Sequence, residues 1–147
     1  MSTRLRPPTV DDANLILKLY DMRREEKLRE ARAWFTANCK CKTLEEWRTV
    51  CPAGSQENAY FRMVTTYWEM VASFIASGVL HEELFAQSGL ELLLVWERVR
   101  HLLPEYRIAM KNPGAYKNME AAAAKLIPIV EQNGPEAYQA FAARVGI

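Results

Sequence analysis

The chain has 147 residues, enough for one domain with its own hydrophobic core. Half of the residues are hydrophobic and a quarter are charged, a globular balance that excludes wholesale disorder. The formal net charge is only +1, so no strong positive field favours nucleic-acid binding, and we expect no nucleic-acid partner.

We expect no segment that would direct the chain to or through a membrane. Its longest uncharged apolar stretch covers residues 70–80, whereas a membrane-spanning helix needs roughly 20 residues. The N-terminus carries arginines but no apolar run and cleavage site behind them, so it does not fit a secretory signal. We therefore expect no membrane span and a cytoplasmic location.

The first predicted helix begins at Asp11 and Asp12, whose charges suit the positive end of a helix dipole. Apolar residues then recur at three- and four-residue steps, which predicts an amphipathic helix to about Asn38. Residues 1–8 are predicted to be a flexible N-terminal arm. Thr43 and Glu46 fit a capping box, so a short helix should follow and end near Cys51.

The middle of the chain holds the two most apolar predicted helices, over residues 56–77 and 88–103. Gly78 suits the left-handed position that ends a helix, and a short helix is predicted over residues 81–86. Ser88 and Glu91 fit a second capping box. Because only a short link joins these two apolar helices, we expect them to pack as an antiparallel hairpin.

The last third continues the helical pattern. Helices are predicted over residues 105–111 and 116–133, with a last short helix after Gly134 and Pro135. No alternating strand pattern occurs anywhere. The sequence thus predicts one all-α domain over residues 1–147, a bundle of about five to seven helices around the central antiparallel hairpin.

A diffuse set of aromatic, glycine and charged residues marks roughly the last two-thirds of the chain. Its members are Tyr67, Trp68, Glu69, Gly78, Val79, Leu80, Leu84, Phe85, Gly89, Trp96, Arg107, Pro113, Tyr116 and Glu120. This set resembles the uncharacterised bacterial family called domain of unknown function 4760. The resemblance implies a small helical bacterial protein with no known activity, so it transfers no catalytic residue.

Three cysteines, Cys39, Cys41 and Cys51, could supply thiolate ligands to a soft metal. Structural zinc usually needs four ligands in pairs separated by two to four residues. Here one residue separates the first two cysteines, and no nearby histidine completes the set. The pattern favours reduced thiols, and we predict no metal and no cofactor.

Two other helical site patterns are incomplete in this chain. A di-iron bundle needs a histidine three residues after a glutamate, but Ala72 follows Glu69 and Arg100 follows Glu97 at that distance. Residues 74–89 have the outline of a DNA-reading helix-turn-helix, yet their second helix begins with two glutamates that would repel phosphates. Neither pattern predicts a function.

One group of residues has two interpretations. Glu69 lies on an apolar helix, and Arg98, Arg100 and Arg107 lie near the end of the next, so they could form a partly buried structural ion pair. Alternatively, an arginine could hold an anionic ligand in a pocket floored by tryptophans. The candidate residues for this site are Trp68, Glu69, Trp96, Arg100 and Arg107.

The apolar content of residues 60–103 exceeds what one face of a bundle needs, which favours burial against a partner. We therefore expect a helical protein-interaction or homo-oligomerising module, potentially a homodimer, without catalytic activity. The alternative is a protein that binds a small anionic molecule, or a weak enzyme, with a pocket between the two central helices.

Overall fold

The computed structural model describes residues 5–147. Within that range the chain forms α-helices and no strand, so the predicted all-helical class is confirmed. The nine helices of residues 5–147 exceed the five to seven that we predicted. They are α1 (Val10–Arg23), α2 (Glu26–Asn38), α3 (Leu44–Val50), α4 (Gln56–Ala76), α5 (Glu82–Ala86), α6 (Glu91–Val99), α7 (Leu103–Ala109), α8 (Lys117–Glu131) and α9 (Ala137–Val145).

One source of the higher count is that the first predicted helix is two helices, α1 and α2. Arg24 ends α1 in helical geometry, and Glu25 then leaves it with a ψ of 141°. The Glu25 carboxylate accepts hydrogen bonds from the N–H groups of Lys27 and Leu28. These bonds satisfy free donors of a new first turn, so a second helix begins there.

The region around α6 also differs from the prediction. The predicted capping box of Ser88 and Glu91 does not form, because α6 begins after Leu90 with no side-chain cap. Glu91 instead pairs with Arg32 of α2 at 2.8 Å. Pro104 lies in the first turn of a separate helix, α7, where a missing N–H breaks no helical hydrogen bond.

α4 lies at the centre of the fold. Its most extensive contacts are with α8 and α2, and its contact with α6 is smaller, so the predicted central hairpin is not confirmed. The α4 and α8 axes run parallel, because their contacts advance together along both helices. Thr65 accepts a hydrogen bond from Tyr116, and further along both helices the carbonyl of Ile75 accepts one from Lys125. The three short helices between α4 and α8 carry the chain back along α4 before α8 begins.

The core surrounds α4 and continues into α6 and α8. Its largest fully buried side chains include Trp68, Phe61 and Leu92. Ala122 and Ala123 of α8 are also buried, so this stretch packs without bulky side chains. The core thereby holds α4 and α6 in place, and these helices carry Trp68, Glu69 and Trp96 of the predicted site.

Of the predicted flexible arm, residues 1–4 lie outside the described residues. Further along it, Arg6 forms a two-pronged ion pair with Asp12 at 2.7 and 2.8 Å. Its guanidinium also donates to the carbonyl of Val79. These contacts join this segment to the start of α1 and to the turn before α5.

Candidate functional site

The two tryptophans of the predicted site have different environments. Trp68 has no exposed surface, whereas Trp96 is half-buried. The Trp68 ring meets Tyr67 edge to face at 4.9 Å, and the Arg23 guanidinium lies 5.5 Å from the ring centroid. Its indole N–H has no hydrogen-bond partner in the described structure. Neither Trp68 nor Trp96 lines the cavity described below.

Glu69 acts as a cap for a neighbouring helix. Its carboxylate oxygens accept hydrogen bonds from the backbone N–H groups of Asn118, at 3.1 Å, and Met119, at 2.7 Å. Both groups belong to the first turn of α8, which has no cap from its own N-cap residue, Tyr116. The negative carboxylate also suits the positive end of the α8 dipole.

The arginines of the predicted site have other partners than Glu69. Arg100 binds Glu97 at 3.0 Å, one turn back on the same helix. Arg107 donates to the carbonyl of Ala115 at 3.0 Å and pairs with Glu120 at 3.3 Å. Among residues 5–147, Glu69 forms no salt bridge with an arginine, so these side chains do not meet as one ion pair.

Arg98, which the sequence analysis placed among ion-pair candidates, caps the ends of two helices instead. It is buried, and its guanidinium donates only to carbonyl oxygens. Burial lowers its pKa, but an arginine starts so high that it remains charged at neutral pH. The acceptors are Phe35, Thr36 and Cys39 at the end of α2, and Val145 at the end of α9.

The three cysteines are buried and reduced near the end of α2 and around α3. The hydrogen bond between Cys39 and Cys41, together with burial, raises the pKa of the Cys39 thiol, and the same bond lowers the pKa of Cys41. Burial raises the pKa of Cys51 to about 12. In the described part of the chain, no group of three or more His, Cys, Asp or Glu side chains is arranged to hold a metal ion.

A buried hydrogen-bond network at the start of α1 escaped the sequence analysis. Besides Arg6, the Asp12 carboxylate accepts bonds from the N–H groups of Thr9 and His81, at 2.8 and 2.9 Å. His81 in turn bonds through Nε2 to the carbonyl of Arg6 at 2.8 Å, while its Nδ1 accepts from the N–H of Leu84. Thr9 and Asp12 form a capping box, a signal that the sequence contained.

This network predicts acid sensitivity. The Arg6 guanidinium holds the pKa of the Asp12 carboxyl well below its usual range. A carboxyl whose pKa is lower in the folded state stabilises the fold above its unfolded pKa of about 4, and this contribution is lost progressively as the pH falls through the folded pKa. We expect Asp12→Asn to lower the melting temperature at pH 7, and we expect this loss to shrink progressively below about pH 4.

Thermal unfolding followed by circular dichroism at intervals from pH 7 down to about pH 1.5 would check this. Asp11→Asn is the matched control, because Asp11 is the exposed neighbour and forms no salt bridge among the described residues. A loss from Asp12→Asn that stays the same down to the lowest pH would contradict the proposed linkage.

The outer face of α1 is unusually apolar. Val10 is 76% exposed and Leu17 is 65% exposed, and their seven-residue separation puts them on one face, two turns apart. Ala13 and Asn14 lie between them and are also exposed. We call these four residues the α1 strip. Sequence spacing could not identify it, because the same spacing is typical of a buried face.

A second feature is an open cavity of about 600 Å³ between α3, α4 and α7, which we call the aromatic groove. Trp47 is its central ring and meets Phe61 and Tyr106 edge to face, at centroid distances of 5.4 and 5.7 Å. The groove is lined by Trp47, Arg48, Cys51, Pro52, Ala53, Asn58, Phe61, Arg62, Tyr106 and Met110. Of these residues, only Cys51 was a candidate ligand in the sequence, for a metal.

The described residues thus form an all-helical protein in which Glu69 and Arg98 secure helix ends. No helix among them is both long and apolar enough to cross a membrane. Residues 8–126 match the family model described as "Domain of unknown function (DUF4760)", and the chain belongs to that family. The resemblance is confirmed, but the match begins near α1 rather than covering only the last two-thirds. No curated protein and no solved structure matches the chain.

Proposed function

We propose that this protein is a non-catalytic helical interaction module that self-associates through the α1 strip. The observation that carries the proposal is the exposure of Val10 and Leu17 on one face of a helix that buries only Asp12 and Leu19. An apolar face that its own chain leaves uncovered is typical of an interaction surface. The occupant that we propose is a second copy of this chain.

The spacing of the α1 strip suits a two-fold symmetric helix pair. Val10 and Leu17 lie about 10 Å apart along the axis, at 1.5 Å per residue. A two-fold axis between Ala13 and Asn14 sets two α1 helices antiparallel, with Val10 of each copy against Leu17 of the other. Alanine and asparagine at the crossing point are small enough for close approach.

The charges beside the α1 strip support the same arrangement. Asp11 and Lys18 are exposed and, being seven residues apart, lie on the same edge of α1. In the antiparallel pair these edges meet. Along the helix axis, Asp11 of one copy then lies opposite a position only two residues from Lys18 of the other copy. Opposite charges at such a rim add specificity and association rate more than affinity.

This proposal moves the expected interface away from the apolar residues 60–103. Their surplus apolar surface is largely covered by α2 and α8 within the chain. We also propose a cytoplasmic location, since three buried reduced thiols suit a reducing compartment. The proposed lack of catalysis rests on the occupied hydrogen-bonding groups of Glu69, Asp12 and Arg98.

The test is the mass of the full chain in solution, measured by light scattering after size-exclusion chromatography from about 1 µM to about 200 µM. We expect a dimer whose dissociation constant rises at least about tenfold in Leu17→Glu, equivalent to about 1.4 kcal/mol. Leu17 is exposed, so the substitution should change the stability of the monomer by no more than about 0.5 kcal/mol.

Ile108→Glu is the matched control, because Ile108 is 79% exposed but lies on α7. It should leave the dimer intact. A wild-type chain that stays monomeric at every concentration would contradict the proposal, as would equal weakening by both substitutions.

Binding of a small anion is the second candidate function. Between α4 and α6, Glu69 is occupied by backbone N–H groups and Trp68 is fully buried, which favours structural roles there. The observation that favours anion binding lies elsewhere, at the two arginines of the aromatic groove.

A further inference from the structure

We propose that the aromatic groove binds a small aromatic carboxylate. The ring of the ligand packs against Trp47, Phe61 and Tyr106, and its carboxylate binds Arg48 and Arg62 at the rim. This proposal does not depend on self-association, because the α1 strip and the groove have no residue in common.

The groove has the size and lining of a ligand site. Its volume of about 600 Å³ lies within the roughly 300–1,000 Å³ usual for small-molecule sites. Aromatic and aliphatic side chains predominate in the lining, with a few polar groups that could orient a ligand. Its volume is sufficient for a one- or two-ring molecule.

The floor of the groove is preformed. Trp47 and Phe61 are both buried and belong to the hydrophobic core, so neighbouring packing fixes their positions. Tyr106 is half-buried and stands nearly perpendicular to Trp47, at 87°. These rings can make edge-to-face contacts with a planar ligand ring, as they do with each other. Such contacts favour an aromatic ligand over an alkyl chain.

The charge at the groove selects an anion. Arg48 follows Trp47 and Arg62 follows Phe61 in the sequence, so each arginine lies about 100° around its helix from a floor ring. Both arginines are exposed, and neither forms a salt bridge within residues 5–147. Two cations and no carboxylate line the groove.

The polar partners already present leave these arginines free for a ligand. The Arg62 Nε donates to the side-chain oxygen of Asn58 at 3.0 Å, which orients the guanidinium and leaves its terminal N–H groups available. Glu57 is an acid near the groove, since its charge acts on the Cys51 thiol, but it is not part of the lining. A guanidinium pairs with a carboxylate through two parallel hydrogen bonds, the usual geometry of carboxylate recognition.

The test titrates the full chain with 1-naphthoate and follows amide and indole N–H resonances by NMR, with calorimetry for affinity. The neutral analogue 1-naphthalenemethanol and the alkyl acid decanoate are titrated in the same way. We expect saturable one-to-one binding of 1-naphthoate that shifts the Trp47 indole resonance. Each of the two comparison compounds should bind at least about tenfold more weakly.

Two variants separate the groove from general charge effects. The double variant Arg48→Gln, Arg62→Gln should raise the dissociation constant for 1-naphthoate at least about tenfold. The control Arg29→Gln, Arg144→Gln removes two exposed arginines of α2 and α9 and should leave it unchanged. Leu17→Glu should also bind normally, so failure of the dimer and failure of the groove are distinguishable.

Several results would overturn the proposal. Equal binding of the acid and the neutral analogue would remove the role of the arginines, and equal or tighter binding of decanoate would remove the preference for a ring. Equal losses of 1-naphthoate affinity in the groove variant and in the control variant would show that binding depends on net charge alone. Absence of saturable 1-naphthoate binding at millimolar concentration would refute the site.

Discussion

Replacing Arg98 with alanine is expected to lower the free energy of unfolding by about 3–5 kcal/mol. Arg98 is buried and donates to four backbone carbonyls at the ends of α2 and α9. Hydrogen bonds from a charged donor each contribute about 1.5–3 kcal/mol, and a cation at a helix C-terminus gains further from the dipole. Alanine leaves those buried acceptors unpaired.

The measurement is urea unfolding followed by circular dichroism at pH 7. Arg98→Lys should fall between wild type and alanine, because it keeps the charge but cannot span two helix ends with one planar group. The matched control is Arg29→Ala, because Arg29 is an exposed arginine of α2 and forms no salt bridge within residues 5–147. It should cost no more than about 1 kcal/mol. Equal losses at both positions would contradict a capping role for Arg98.

The helices themselves could be predicted well because their signals are local. Helix α4 was expected over residues 56–77 and covers Gln56–Ala76, since apolar spacing and a clear turn before it define its bounds. The division of the first helix depends on Glu25, which caps the next turn with its own carboxylate. Glutamate is an ordinary helix residue, so nothing in its identity predicts a break.

Packing order could not be predicted in the same way. We expected α4 to pack on its neighbour in sequence, α6, but its main partners are α8 and α2. All four helices have apolar faces, and such faces do not specify which pairs meet. The parallel arrangement of α4 and α8 depends on three intervening short helices whose turns set the return path.

The site residues illustrate a second limit. From the sequence, Glu69 was expected to pair with an arginine or to belong to a ligand site, but its partners are backbone N–H groups 49 and 50 positions along the chain. Every residue except proline has such a group, so the sequence carries no mark for it. The groove rings were equally hidden, because Trp47, Phe61 and Tyr106 come from three helices and each fits a core position.

Replacing Glu69 with alanine is expected to lower the free energy of unfolding by about 2–3 kcal/mol, because two charge-assisted hydrogen bonds to the start of α8 are lost. α8 makes the most extensive contact in the fold, with α4, so fraying of its first turn should weaken the core. Glu69→Gln keeps one accepting oxygen and should lose about half as much.

Urea unfolding gives the stability, and hydrogen exchange shows where protection is lost, which should be at the amides of Asn118 and Met119. Glu120→Ala is the matched control, since Glu120 is an exposed acid in the same first turns of α8 and should cost no more than about 1 kcal/mol. If Glu69 belonged to a ligand site instead of the cap, its removal would leave stability and the exchange of these two amides unchanged. The same experiment therefore separates a capping role for Glu69 from a role in a ligand site.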